Sequence, residues 1–167
     1  ALNDRRFSNE AFVRRAINAN LRTGTTEGIN NLLRYGQQED APAPLRAEAL
    51  DALSTWAQPS VLDRVDGRYR GVVKRDPAPV QNAAGPILIQ LLGAQNELVR
   101  AHAAKACGKL AIADAADALL SHLQNDPDAG VRTEAVNALA RLNAHSIDKA
   151  IQLALEDKDK TVRISGL

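Results

Sequence analysis

The sequence predicts an all-α fold, a right-handed superhelix of stacked helical hairpins, and two observations carry that reading. One pattern recurs along the chain as "AFVRRAINANL" from Ala11, "APLRAEALDAL" from Ala43, "ELVRAHAAKAC" from Glu97, "AGVRTEAVNAL" from Ala129 and "KTVRISGL" from Lys160. The composition agrees, because aromatics are only 3% and alanine is abundant, which suits close helix packing better than a β-sandwich. The repeats are anchored on Arg14, Arg46, Arg100, Arg132 and Arg163, at intervals of 32, 54, 32 and 31, so one gap is 22 residues too long.

Within each arginine helix the apolar residues follow a helical period. Leu45, Ala49, Ala52 and Trp56 share one face, as do Val99, Ala103, Ala106 and Leu110, and Val131, Ala135, Ala138 and Leu142. Trp56 stands where the other repeats have leucine, so it is expected in the core. A second amphipathic stretch precedes each later arginine helix: "TTEGINNLLRYG", "PILIQLLG", "AADALLSHL" and "SIDKAIQLAL". Thr25, Asp114 and Ser146 are expected N-caps, since their oxygens can accept from first-turn amides. Turn signals such as "NDPDAG" and "EDKDK" separate the helices, with Pro44 and Pro127 where a missing amide costs little. A lone hairpin of this size cannot bury its apolar face, so neighbours must stack.

These features resemble the HEAT family, whose second helix opens with an acidic turn followed by Val-Arg, as in "DPDAGVR" and "DKDKTVR". The repeat length of about 32 is shorter than the roughly 40 to 47 residues usual there, and is similar to the compact HEAT-like repeats of the phycobilin lyase type. The resemblance implies that Asp126, Asp128, Asp157 and Asp159 pair with repeat arginines and fix stacking register. It covers nearly the whole chain outside an insertion, and residues 1–167 are read as one domain of about four and a half repeats. The chain has no methionine, and "TVRISGL" stops an arginine helix short, so a longer parent protein is expected.

The surplus residues form an insertion, 57–80, that fits no repeat. It holds five bases, Arg64, Arg68, Arg70, Lys74 and Arg75, against three acids, Asp63, Asp66 and Asp76. It also carries Val61, Leu62, Val65, Tyr69, Val72 and Val73, more apolar side chains than a disordered linker would have. Long loops in compact domains tend to be functional or self-packed. The expectation is that the apolar residues dock beside Trp56, that the arginines pair with the loop's acids or face a partner, and that "RDPAPV" leaves as extended chain. Arg64, Arg68, Tyr69, Arg70, Lys74 and Arg75 are the candidate interaction residues.

"LRAEALDALSTWAQPSVLDRVDGRYRGVVKRDPAPV" resembles the HEAT region of large bacterial exported proteins described as membrane-bound dehydrogenases with haem-binding domains. The shared points are Trp56, Pro59, Asp63, Arg64, Val65, Gly67, Tyr69, Arg70, Arg75, Asp76 and Pro77. The resemblance implies an exported or periplasmic setting, with a β-propeller and a c-type cytochrome domain as neighbours. Neither is in this sequence, and Cys-x-x-Cys-His is absent.

Nothing in the chain carries catalytic chemistry. His102, His122 and His145 have no metal-ligand spacing, the single Cys107 aligns with Leu53 and Leu139 of the core, and there is no nucleophile elbow or phosphate loop. No catalytic, metal or cofactor site is therefore assigned, and a small-molecule partner is left open. A net charge of +1 gives no global attraction for nucleic acid or anionic membrane, and no apolar run is long enough to span a bilayer. "ALNDRRFSNE" lacks the layout of a signal peptide. The function expected is a non-catalytic scaffold that contacts a protein partner or neighbouring domains of its own chain. The alternative is a HEAT-like nucleic-acid-binding protein of the DNA glycosylase type, for which Arg15, His102, Lys105, Lys109 and Arg141 are offset by Glu48, Asp51 and Glu134. A third, a chromophore-lyase accessory, has no feature that calls for it.

Overall fold

The computed structural model describes Leu2 and residues 9–167, so most of the amino-terminal "ALNDRRFSNE" lies outside the described residues. Those residues form helices α1 (Glu10–Thr23), α2 (Thr26–Gln37), α3 (Ala43–Ser54), α4 (Ala78–Leu92), α5 (Glu97–Lys109), α6 (Ala116–Asn125), α7 (Ala129–Leu142), α8 (Ile147–Leu155) and α9 (Lys160–Ser165). The fold is an α-α superhelix of helical hairpins, with one long loop between α3 and α4. Two compact units divide it between Ala84 and Gly85, inside α4 and beside its internal Pro86.

In the first unit α1, α2 and α3 pack against one another. Their apolar stripes supply Ile17, Leu21, Ile29, Leu32, Leu50 and Leu53, all fully enclosed. Asn9 and Thr25 cap α1 and α2 by accepting from the Phe12 and Gly28 amides at 3.1 Å. Caps of this kind are worth about 1 kcal/mol each. Pro44 stands in the first turn of α3, as its spacing predicts.

In the second unit α5 and α6 both pack on α7, and α9 packs on α7 and α8. Val99, Ala103, Ala106, Leu110, Val131, Ala135 and Ala138 are buried as the predicted face requires, while Leu142, at the end of α7, is half-buried. The α5–α7 contact is close enough that a Cβ on Gly108 would lie 2.7 Å from the Cα of Ala138. Cys107 is buried there, and burial pushes its thiol pKa up to about 12.

Four local expectations are corrected. Asp114 falls in a 3₁₀ turn, Ala113–Ala115, ahead of α6 and is no N-cap. Ser146 occupies the N-cap of α8 without a side-chain hydrogen bond. Trp56 is in the core, 2% exposed, but stands past the end of α3. Finally, "RDPAPV" is not extended to its end, because Asp76 accepts from the Ala78 amide at 3.0 Å and starts α4 at Ala78.

The repeat arginines do more than one job. Arg100 forks onto Asp126 through Nε at 2.8 Å and Nη2 at 2.9 Å, while its Nη1 donates to the Ala94 and Gln95 carbonyls. Arg132 forks onto Asp157 at 2.7 and 2.8 Å and donates to the Asp126 and Pro127 carbonyls. Each arginine thus binds the acid that precedes the next arginine helix. Asp128 and Asp159, expected in the same role, instead cap α7 and α9 through the Val131 and Thr161 amides. Burial works against the Asp126 carboxylate, but bonds from Arg100, the Asp128 amide and His122 outweigh it and hold its pKa below the usual range. Arg14 pairs with Glu10 and Glu48, Arg46 donates to the Gly36 carbonyl at 2.9 Å, and Arg163 donates to the Asp157 and Lys158 carbonyls.

Candidate functional site

The insertion is built around one carboxylate. Asp63, 7% exposed, accepts from the Val65 and Asp66 amides through Oδ1 at 2.9 and 3.3 Å, and from Asn18 Nδ2 and Arg70 Nε through Oδ2 at 2.9 and 3.0 Å. The Val65 amide, followed by Asn18, the Asp66 amide and Arg70, overcomes burial and holds Asp63 well below the usual carboxylate range. This turn brings Leu62 and Tyr69 into an antiparallel bridge, flanked by Asp63 N–H to Arg68 O at 2.8 Å and Arg70 N–H to Val61 O at 2.7 Å. A short residue that can accept four bonds is required at position 63, which explains the aspartate.

Two further arginines fasten this hairpin to the helices. Arg22, in the last turn of α1, donates from Nη2 to the Ser60 and Leu62 carbonyls, both at 2.8 Å. Arg75 donates to the Trp56 and Arg22 carbonyls at 3.0 Å and lies over the Trp56 ring. Burial, and then the neighbouring Arg22 charge, lower the Arg75 pKa. The place beside Trp56 is therefore filled by Arg75, and most of the loop's apolar side chains point outward. Tyr69 and Val72 are each 71% exposed and Leu62 is 51% exposed, with Val61 and Val65 also at the surface.

Between α1 and the hairpin lies a cleft of about 820 Å³. Arg15, Asn18 and Arg22 line it from the helix, and Asp63, Asp66, Arg68 and Arg70 from the insertion, with Val65 and Val73 in its wall. Arg70 also reaches Asp66 at 3.2 Å, and Arg68 stands 3.8 Å from the same carboxylate. Of the candidate interaction residues, the structure brings Arg68 and Arg70 into this cleft, leaves Arg64, Tyr69 and Lys74 exposed, and turns Arg75 inward. Arg15 was singled out only as a base for the nucleic-acid alternative, and Asn18 and Arg22 escaped sequence reasoning, although the spacing of the three by three and four marks one polar stripe of α1.

In the second unit a smaller groove of about 320 Å³ is lined by His102, Thr133, Glu134, Asp159 and neighbouring small residues. His122 Nδ1 donates to Asp126 Oδ2 at 3.0 Å. Among the described residues no group of three or more His, Cys, Asp or Glu side chains is placed to hold a metal ion, and no helix is long and apolar enough to cross a membrane.

Residues 85–167 match the family model described as HEAT repeats. The chain has a HEAT-like fold. Among solved structures it is similar to the crystal structure of an engineered protein, at 18% identity and a TM-score of 0.61, over 95% of this chain and 72% of that one. At that identity the likeness speaks for the fold alone. No curated protein matches the chain. In this HEAT-like frame the insertion is the part that departs from the repeat, and it supplies one wall of the larger cleft.

Proposed function

We propose that the chain is a non-catalytic HEAT-like scaffold, one domain of a longer protein, and that its insertion is where a protein partner or a neighbouring domain docks. HEAT repeats generally mediate protein interactions, and one observation carries the proposal to this loop. Val61, Leu62, Val65, Tyr69 and Val72 are exposed on a segment whose backbone is fixed by Asp63, Arg22 and Arg75. An apolar set held rigidly outward loses little conformational entropy when covered, which favours an interface. The finer setting, a bacterial exported redox protein, is supported by the motif points from Trp56 to Pro77 alone.

The test places a photoreactive residue at Tyr69 or Val72, with one at exposed Glu39 as control, in the full parent protein in its native host. Crosslinking to one defined protein or domain from 69 and 72 but not from 39 is expected. Equal yields at all three positions would overturn the docking role. Recovering the parent and recording its haem absorbance tests the setting: covalent haem on a larger chain supports it, and a haem-free chain little longer than this one removes it.

A further inference from the structure

We infer that the cleft between α1 and the insertion receives an acidic segment of the docking partner, whose carboxylates face Arg15 and Arg22. The inference rests on the docking role proposed above and adds the chemistry of the ligand. Four arginines line the cleft against two aspartates, and both aspartates are already engaged, Asp63 by Asn18, Arg70 and two amides and Asp66 by Arg70 and Arg68. Among the described residues no carboxylate pairs with Arg15, Arg22 or Arg75.

Part of the Arg22 guanidinium is enclosed as well as without a counter-charge. Arg22 Nε and Nη1 are enclosed without a hydrogen-bond partner, and the Arg75 guanidinium lies close enough for the two cations to repel. Burying a guanidinium without a counter-charge is costly, and an incoming anion relieves that cost. Asn18 is 9% exposed, and its Oδ1 also lacks a partner while Nδ2 is held by Asp63. Reversing the amide would set oxygen against carboxylate, so the free atom is the acceptor.

The walls choose among anions. Val65 and Val73 in the wall offer contacts to apolar side chains, which a phosphate backbone does not supply. An acceptor at Asn18 suits an amide N–H, which a peptide has and a phosphate lacks. An acidic peptide with interspersed apolar residues fits all three features.

The test is fluorescence anisotropy of a labelled peptide alternating Glu with Leu and Val, against its Gln counterpart, an oligothymidylate of similar charge and inorganic phosphate. The acidic peptide is expected to bind at least tenfold more tightly than the Gln peptide. Arg15→Glu, at an exposed position, should weaken it by about tenfold or more while leaving melting unchanged. Arg22→Gln should weaken it too, with circular dichroism reporting whether the hairpin clamp survives. Equal binding of the Glu and Gln peptides, indifference to Arg15→Glu, or tighter binding of the oligothymidylate or phosphate would each overturn the inference. Crosslinking from 69 and 72 in the face of any such result would leave the docking role standing without its acidic ligand.

Discussion

The guanidinium of Arg75 lies over the indole of Trp56, its Cζ 4.8 Å from the ring centroid, and also donates to the Trp56 carbonyl at 3.0 Å. One side chain therefore seals a core residue from above and ties down the chain on either side of the insertion. Arg75→Ala should destabilise the protein by about 2–3 kcal/mol, from the lost cation-π contact and the orphaned carbonyls. Arg75→Lys should recover less than half, because an ammonium cannot serve two carbonyls and a ring face in one plane. Urea unfolding of the two variants decides this, and equal stability of wild type and Arg75→Ala would refute it.

Gly24 has a positive φ of 69°, and a Cβ there would meet Arg75 Nε at 2.6 Å. Gly24→Ala should cost about 1–3 kcal/mol, combining left-handed strain with displacement of the guanidinium. In an Arg75→Ala background the steric part should vanish, so the two losses should add to less than their sum, as a double-mutant cycle would show.

Arg132 and Asp157 are almost fully enclosed, with side chains 4% and 9% exposed. Asp157→Ala should cost about 3–5 kcal/mol, since it leaves a buried arginine without its counter-charge. Replacing both partners by apolar residues of similar volume should restore much of that loss. Thermal melts of the single and double variants check this, and a double variant as unstable as the single one would contradict it.

Asp63, Asp126 and Asp157 all have lowered pKa values in the fold. Their stabilisation is thus fully present above the ordinary unfolded carboxylate value of about 3.9 and is lost as pH falls through the folded values. The melting temperature should be flat from pH 8 to 5 with respect to these groups and should drop below about pH 4. Asp63→Asn should be less stable at neutral pH, by a margin that narrows below pH 4. A margin independent of pH would mean that the Asp63 charge is immaterial.

Cys107 is enclosed between packed helices and its thiol is pushed up to about 12. A thiol reagent at pH 8 should leave it unmodified in native protein and label it at once in urea. Ready labelling of folded protein would show that the α5–α7 contact opens.

The solenoid was legible in the sequence because helix faces are written by local spacing. Val99, Ala103 and Ala106 recur as Val131, Ala135 and Ala138, and their burial needs only a neighbouring hairpin. The cleft was less legible, since its walls lie about 40 residues apart and are joined by Asn18 to Asp63 and by Arg22 to the Leu62 carbonyl. Nothing local distinguishes Arg75, which turns inward, from Lys74, which stays at the surface. The apolar loop residues were expected to dock beside Trp56, and the fold instead satisfies the loop through polar bonds and leaves most of them outside.

The two arginine forks of the second unit point the same way along the chain, from Arg100 to Asp126 and from Arg132 to Asp157. The α6–α7 hairpin therefore carries a plug, Arg132, on its arginine helix and a socket, Asp126, in its acidic turn, and the two are not interchangeable. A copied hairpin could be spliced in tandem and find its mate on both sides, whereas one inserted in inverted order would set plug against plug. Lengthening such a protein by duplication is thereby open to evolution, and shuffling its units out of orientation is closed.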